Sequence, residues 1–387
     1  MKKHFIYASL ALAALSMTAC SDDKDPVDGG NNNGGQTDQT SADLDYTAAN
    51  APAWHNYMRQ VSMLLVNDAN DLYNAWNSSY EGGASFADQF RQHNNATYSS
   101  AASCIQQIIE GCIDIATEVG DAKIGEPYDL YRAGNTTAAL YAVESWYSWH
   151  SIDDYSNNII SIRNAYNGTR DGSVATASIK SLVAAADPAL DTEVQNAIDA
   201  AYKAIKTDMP APFRNNINTA EARQAMEACA ALGDVLDLKL RPVAIAFSEA
   251  DLQPVVENYV DNVVLPTYAD LKAGNQALHN AVLAFVDKPS NTTMAACAQA
   301  WLDAREPWET SEAFLFGPVD ALNLDPNMDS WPLDQDQIVQ ILTSGSFDDL
   351  KWSDGQDDEA IEAAQSVRGF HTLEYLIFKD GKARVVE

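Results

Sequence analysis

Basic residues are scarce in this sequence. The 24 lysines and arginines are outnumbered by 55 aspartates and glutamates, which gives a formal net charge of −31 over 387 residues. Proteins that bind nucleic acids need basic side chains to neutralise phosphates, so this charge balance excludes a nucleic-acid-binding function. An acidic surface suits cationic partners, metal ions included, and it also keeps a protein soluble.

Cysteine is also rare, with five residues in the whole chain. The four after residue 20 have neither C-x-x-C nor Cys/His spacing, which argues against a structural zinc site. Their even number leaves two disulfides open. On one continuous helix, however, Cys104 and Cys112 would lie about 12 Å apart, too far to bridge unless Gly111 breaks the helix. We therefore expect buried free thiols at Cys104, Cys112, Cys229 and Cys297.

Several signatures of catalysis and of membrane insertion are missing. The sequence contains no G-x-S-x-G, no H-E-x-x-H, no P-loop and no glycine-rich dinucleotide turn, which excludes the enzyme classes that depend on these motifs. After residue 20, no stretch approaches the 18 uninterrupted apolar residues that a membrane-spanning helix needs.

The N-terminus reads as an export signal. Lys2 and Lys3 precede an apolar run over residues 5–15, which is too short to span a bilayer and typical of a signal peptide over residues 1–19. The sequence Met17-Thr18-Ala19-Cys20 resembles a bacterial lipobox, which implies cleavage before Cys20 and lipidation of that cysteine. An ordinary secreted protein is the alternative.

Residues 20–50 have few apolar side chains, and we expect a flexible acidic tether there. The run Ser21-Asp22-Asp23 resembles the surface-export signal of Bacteroidetes lipoproteins. We therefore expect an outer-membrane lipoprotein that is exposed at the cell surface, with the periplasmic face of that membrane as the alternative.

The remaining sequence has a helical pattern. Apolar residues recur with a period close to 3.6, and strand-like alternation is scarce. Glycine- and proline-rich breaks divide this pattern into about eleven helices, which predicts an all-α protein built from antiparallel bundles. One such helical run consists of Trp54, Tyr57, Met58, Val61, Leu64 and Leu65.

About 340 residues exceed one comfortable helical core, so the length predicts two packed bundles. We place their boundary where Arg241-Pro242 and Gln253-Pro254 interrupt the helical pattern. One bundle then covers residues 51–248 and the other covers residues 249–387.

The C-terminal segment SVRGFHTLEYLIF carries the sharpest candidate site. If residues 359–378 are helical, His371 and Glu374 are i, i+3 neighbours on one face. An imidazole and a carboxylate placed in this way form half of a mixed nitrogen and oxygen metal site. A hydrogen-bonded core histidine is the alternative interpretation of this pair.

A second candidate lies in AWLDAREPWETSEAFLFGP, where Arg305, Glu309, Glu312 and Phe316 would share one stripe of a helix. Acids among tryptophans and phenylalanines lose solvation unless a cation compensates them. Arg305 is one such cation, and a metal ion is the alternative.

Two further segments carry candidate polar residues. In AVESWYSWHSIDDYS, the side chains of Glu144, Ser148, Ser151 and Tyr155 would form a polar stripe on a helix, which favours a buried contact with another polar surface. In DSWPLDQDQI, Asp334 is expected to cap a helix that begins near Gln335.

Taken together, these segments resemble the imelysin-like family. The G-x-H-x-x-E hallmark of that family is matched by Gly369, His371 and Glu374. The other matching segments are VVLPTYADL at 263–271, the W…R…W-E…S-E…F-x-F-G-P run at 301–318, S-W-P-x-D at 330–334, E-S-W-Y-S at 144–148 and N-A-Y-x-G at 164–168.

The order of these segments departs from that of typical imelysin-like proteins. In those proteins the V-x-P-x-Y segment opens the domain and the E-S-x-Y-S half follows the G-x-H-x-x-E helix. Here the E-S-W-Y-S half comes first, so the sequence resembles a circularly permuted member. Permutation at exposed loops leaves the packing of two bundles intact.

The resemblance also implies a metal site between the two bundles. His371 and Glu374 would be the paired ligands, and carboxylates from elsewhere in the chain would complete the set. Such donors suit iron, with manganese or zinc as alternatives. The additional ligands would be Glu309, Glu312, Asp334 and Glu144, supported by Gly369, Arg305, Ser145 and Ser148.

The resemblance and the polar and aromatic segments of the sequence together leave three functions open. The first is a non-catalytic lipoprotein that binds iron or a metal-bearing ligand, linked to iron uptake and to iron-transport components. The second is a metallopeptidase, the activity for which the family was named, which would use the His-x-x-Glu motif. The third is a glycan- or protein-binding module in which any metal is structural.

Overall fold

Helices account for nearly all the regular structure in the computed structural model, which describes residues 44–352 and 356–386. The first nine α-helices are α1 (Ala51–Asn77), α2 (Phe86–Gln92), α3 (Ala101–Glu118), α4 (Glu126–Arg132), α5 (Thr136–Tyr141), α6 (Ser151–Asn167), α7 (Ile179–Ala186), α8 (Pro188–Lys203) and α9 (Ala220–Asp234). The next nine are α10 (Arg241–Ala244), α11 (Glu249–Tyr259), α12 (Leu265–Asp287), α13 (Asn291–Glu309), α14 (Pro318–Ala321), α15 (Leu324–Asp329), α16 (Gln335–Ser344), α17 (Asp358–Gln365) and α18 (Gly369–Ile377).

Side-chain caps fix where several of these helices begin. The hydroxyl of Ser100 accepts the N–H of Ser103, and the hydroxyl of Ser103 accepts the N–H of Ser100 in return, which closes a capping box at the start of α3. Ser178, Thr219, Ser248 and Ser290 likewise accept a hydrogen bond from the N–H three residues later in the chain.

The all-α prediction is confirmed. One two-stranded hairpin joins β1 (Phe378–Lys379) to β2 (Lys382–Ala383) within the described residues.

Four π-helical segments widen the long helices of the described residues, at Val119–Gly125, Ala204–Asp208, Val235–Leu240 and Val260–Val264. Each is followed two residues later by a proline: Pro127, Pro242 and Pro266 lie in helices that continue, whereas Pro210 lies beyond the end of its helix. A proline ring clashes with the carbonyl four residues earlier and lacks an N–H donor, and a wider turn relieves both problems.

The chain itself turns at residues 245–248, between α10 and α11. The boundary at residues 248 and 249 stays a prediction.

The C-terminal helix α18 is buried on all sides, because each of its nine residues is buried. It packs against α1, α13 and α15, while α12 packs along both α1 and α13. On the far side of the core, α3 contacts α6, α9 and α11. The described residues, 44–352 and 356–386, all belong to one compact unit.

The four cysteines in the described residues are buried free thiols, as predicted. Cys104 and Cys112 both lie on α3, and Gly111 does not break this helix. The predicted signal peptide, Cys20 and most of the tether lie outside the described residues. Among the described helices, none is both long and apolar enough to cross a membrane.

Candidate metal centre

A glycine allows the helix that carries His371 to begin where it does. Gly369 opens α18 with φ at +84°, and a Cβ atom there would lie 2.5 Å from the carbonyl oxygen of Met328. Only glycine adopts this backbone conformation at little cost and leaves room for that carbonyl. The close approach places the end of α15, and therefore Asp329, beside His371.

We expect Gly369→Ala to lower the free energy of unfolding by about 3 kcal/mol, because it adds both backbone strain and a clash with Met328. Urea unfolding would measure this loss. Gly345→Ala is the matched control, since Gly345 has φ at +70° but no atom within 4 Å of an added Cβ. It should cost only about 1 kcal/mol. Equal losses in the two variants would show that the approach of Met328 is unimportant.

Both ring nitrogens of His371 face carboxylates in the buried core. Nδ1 lies 3.0 Å from Oε2 of Glu374, and Nε2 lies 3.0 Å from Oδ1 of Asp329 and 3.5 Å from Oε1 of Glu144. Burial and Arg305 lower the pKa of His371, but the hydrogen bonds to these three carboxylates outweigh them and raise that pKa well above its usual value. These contacts favour the protonated, imidazolium form of the ring.

Glu374 is held from two sides. Its Oε1 accepts hydrogen bonds from the N–H of Tyr147 at 3.0 Å and from the N–H and hydroxyl of Ser148 at 2.8 and 2.7 Å. Its Oε2 faces His371, so the carboxylate fixes the direction in which the imidazole points. A carboxylate bonded to the second nitrogen of a histidine is the usual support of a metal-ligating imidazole.

Arg305 is the central cation of the cluster. Its guanidinium pairs closely with Glu144 and Asp329, lies 2.7 Å from Oε1 of Glu309 and has its Nε 3.6 Å from Oδ2 of Asp154. The side chain is 1% exposed. Interactions with four acids allow a guanidinium to remain charged in this interior.

Lys123 is a second cation at the edge of the cluster. Its Nζ lies 3.1 Å from Oε2 of Glu144 and 3.6 Å from Oε1 of Glu312. Asn158 contributes a neutral contact, because its Nδ2 donates to Oε2 of Glu309 at 2.6 Å.

Acids outnumber bases in this network. The bases are Lys123, Arg305 and His371, and the acids that they contact are Glu144, Asp154, Glu309, Glu312, Asp329 and Glu374. Burial raises the pKa of Glu309 and of Glu312 well above the usual value, although Arg305 and Lys123 oppose it. Burial acts in the same direction on Glu144, but Lys123, His371 and Arg305 outweigh it and lower the pKa of that carboxyl. The shifts of Glu309 and Glu312 favour their protonated forms.

Two groups of side chains in the described residues bring ligand atoms within 4.8 Å of one another. The first joins Glu144, Asp329 and His371, and the second joins Glu309, Glu312 and Asp329. One imidazole nitrogen with several carboxylate oxygens suits a divalent iron, manganese or zinc ion, and not copper(I).

Comparison with known proteins identifies the family. The family model for imelysin, Peptidase_M75, matches residues 27–238 and 264–386. This chain belongs to the imelysin family. It is similar to an imelysin peptidase from Bacteroides ovatus, whose crystal structure superposes with a TM-score of 0.88 at 56% identity, over 90% of this chain and 100% of that one.

A further relative has a name connected with iron. Iron-regulated protein A from Synechococcus elongatus is 35% identical over 123 residues, which is 32% of this chain. The match spans 31% of the length of that relative.

The structure brings most of the predicted imelysin site together. His371, Glu374, Glu309, Glu312 and Glu144 all belong to the contact network described above. Their predicted supports also lie there: Arg305 pairs with the acids, Ser148 holds Glu374, and the hydroxyl of Ser145 donates to Asp154.

Asp334 is not part of the cluster. It is exposed, and its Oδ1 accepts the N–H of Gln337 at 2.9 Å as the N-cap of α16, which is the capping role that the sequence also predicted. Its place near His371 is taken by Asp329, five residues earlier in the chain.

Two segments that were predicted as continuous helices are helical over only part of their length. The helix that carries Arg305 ends at Glu309, and Glu312 lies in a short 3₁₀ turn, Glu312–Phe314. Likewise α6 begins only at Ser151, so Glu144 and Ser148 lie in the turn before it. The predicted helix over residues 359–378 is divided between α17 and α18.

Sequence reasoning missed Asp329, Lys123 and Asp154. Asp329 directly precedes the S-W-P segment that the family resemblance had singled out, which is the signal that could have identified it. Asp154 lies three residues after the start of α6, within the segment AVESWYSWHSIDDYS that the sequence analysis had singled out. Lys123 follows a helix with no motif around it, and no signal in the sequence marks it.

Proposed function

We propose that this imelysin-family protein binds a metal ion, iron in particular, at the buried cluster around His371. The observation that carries the proposal is the convergence of one imidazole and two carboxylates, those of Asp329 and Glu144, to within 4.8 Å. The excess of acids over bases in the same network supports it, since a divalent cation would replace the protons that now compensate those acids.

Each residue has a defined role in this proposal. His371 binds the ion through Nε2, and Asp329 and Glu144 supply oxygen ligands. Glu374 orients the imidazole through Nδ1 and is not itself a ligand in this proposal, because it belongs to neither of the two groups whose ligand atoms lie within 4.8 Å of one another. Glu309 and Glu312 offer further carboxylates next to Asp329.

Iron is favoured by the named relative and by the chemistry of the ligands. The Synechococcus elongatus relative is called an iron-regulated protein, and a mixture of imidazole and carboxylate oxygens suits Fe²⁺. The ion is cargo in this proposal, consistent with a role linked to iron uptake.

Burial favours ion binding over peptide hydrolysis. A metallopeptidase needs an open coordination position that a peptide can reach. The side chains of His371, Glu144 and Asp329 are only 0%, 6% and 4% exposed. A small ion fits such a site, whereas a polypeptide substrate does not.

Titration with Fe²⁺ under anaerobic conditions, and with Mn²⁺ and Zn²⁺, tests the proposal. Two tryptophans report on the site: the Trp331 ring lies 4.8 Å from that of His371, and Trp308 donates to Asp329. We expect saturable quenching of their fluorescence with a dissociation constant of about 1 μM or tighter.

The control for this titration is Glu227→Gln, which removes an exposed acid that pairs with Arg223 at the surface. It should bind like the wild type, whereas Asp329→Asn should bind at least about tenfold more weakly. Binding weaker than about 1 mM in the wild type, or equal binding in the two variants, would overturn the proposal.

We also propose that the chain is a circular permutation of the common imelysin order. The first and last parts of the described residues meet: Nη1 of Arg384 donates to the carbonyl of Leu44 at 3.0 Å, and Nε1 of Trp54 donates to the carbonyl of Leu376 at 3.0 Å. The division of the family match into two segments supports the same interpretation. Lipidation at Cys20, display at the outer membrane and iron-transport partners remain proposals that follow from the sequence.

A further inference from the structure

Lys123 reaches the acidic cluster from the surface of the molecule. It lies in the π-helical segment Val119–Gly125, with exposed Asp121 and Ala122 before it and buried Ile124 after it. Its side chain remains 9% exposed while Nζ lies 3.1 Å from Oε2 and 3.3 Å from Oε1 of Glu144. The side chain therefore lies at the edge of the cluster and keeps a slight exposure to solvent.

The two cations of the cluster are held very differently. Arg305 is 1% exposed, contacts four acids and lies against the rings of Trp301 and Phe370. Its planar guanidinium is fixed by several contacts at once. Lys123 contacts two acids through a single nitrogen on a flexible four-carbon stem. It is the cation that can leave without disturbing the core.

Glu144 is the carboxylate that links Lys123 to the proposed ion. Oε1 of Glu144 lies 3.5 Å from Nε2 of His371, and Oε2 of the same side chain faces Lys123. An ion bound to Glu144 would therefore lie close to the ammonium group. Two like charges at such a distance in the interior repel strongly, because little water screens them.

We propose that the Lys123 ammonium is a tethered cation that competes with the metal ion for Glu144 and Glu312, and thereby sets how tightly the site holds its ion. This inference rests on the proposed function. When the ion enters, Nζ moves away from Glu144 toward solvent, and when the ion leaves, Nζ returns and compensates the acids. A competitor of this kind suits a protein that must release its cargo.

Removal of the charge tests the competition. We expect Lys123→Met to bind Mn²⁺ and Fe²⁺ at least about tenfold more tightly than the wild type, measured against a chromogenic chelator. Lys123→Arg keeps the charge and should show no such gain. Far-UV circular dichroism of the metal-free variants would establish that they fold, and Lys123→Gln provides a second neutral variant.

Lys180→Met is the matched control, since Lys180 is 12% exposed and pairs with Asp191 at 3.3 Å outside the cluster. It should leave the affinity unchanged. Wild-type crystals soaked with Mn²⁺ should show Nζ of Lys123 farther from Glu144 than 3.1 Å.

The outcomes separate the two proposals. If the wild type binds metal and the neutral variants bind it equally or more weakly, the competition is refuted and the metal site stands. If neither the wild type nor the neutral variants bind metal, both proposals fail. If only the neutral variants bind, the competition is supported and the proposed function of the native protein fails.

Discussion

Arg305→Met is expected to lower the free energy of unfolding at pH 7 by about 3–5 kcal/mol, because it leaves buried acids without their main counterion. Methionine keeps an unbranched apolar side chain at this position and removes the charged guanidinium. Glu309 would lose its partner at 2.7 Å, and Glu144 and Asp329 would lose theirs as well. Chemical denaturation at pH 7 measures the loss.

The pH dependence identifies the cause of that loss. Without Arg305, the folded-state pKa values of these carboxyls rise above their unfolded values, so the folded state binds more protons. The stability of the variant should therefore recover relative to the wild type as the pH falls from 7 to 5. A difference that stays constant with pH would point to lost packing instead of unpaired charge.

Arg91→Met is the control for this variant. Arg91 pairs with Asp88 and Asp261 at the surface, where its side chain is 24% exposed and theirs are 52% and 53% exposed. Exposed pairs contribute little, so this change should cost less than about 1 kcal/mol. A loss as large as that of Arg305→Met would show that burial is not the deciding factor.

The sequence predicts the helical part of the site well. His371 and Glu374 lie on one helix, and the i, i+3 spacing alone requires them to face the same way. The apolar period around them reports burial, because a helix surrounded by other helices must be apolar on most sides. The free cysteines follow from the same geometry, since α3 keeps Cys104 and Cys112 apart.

The non-helical part of the site is not predicted from local pattern. Glu144 lies in a turn in which Ser145 has φ at +52° and Trp149 has φ at +63°, a region that bulky side chains rarely adopt. Distant contacts help to hold this turn: Tyr147 and Ser148 donate to Glu374, and a Cβ atom on Gly381 would lie 2.6 Å from the Trp149 ring. A local reading of the sequence therefore extended α6 too far.

A contact between distant parts of the chain also explains why Asp329, and not Asp334, lies beside His371. Both aspartates flank the Ser330-Trp331-Pro332 segment, and spacing alone does not choose between them. The choice is made by Gly369, whose missing side chain lets the backbone of Met328 approach α18. That contact joins positions 41 residues apart and leaves no periodic signal.

His371→Ala is expected to weaken metal binding by about 100-fold or more, since it removes the nitrogen ligand of the proposed site. It should also make the metal affinity depend less steeply on pH. In the metal-free wild type the three facing carboxylates raise the pKa of His371 well above its usual value, which favours a protonated ring. A metal ion must displace that proton.

The direction of this pH dependence follows from the displacement of the His371 proton by the metal ion. Each fall in proton concentration favours the metal-bound form, so wild-type affinity should increase by about tenfold per pH unit from pH 6 to 7.5. Calorimetry in buffers of different ionisation enthalpy should show proton release on binding. In His371→Ala the contribution of this proton disappears, and the slope should become shallower.

His150→Ala, which removes a half-buried histidine paired with Asp153 outside the cluster, should keep both the affinity and the slope. A wild-type affinity that does not change with pH would mean that His371 does not bind the ion through Nε2.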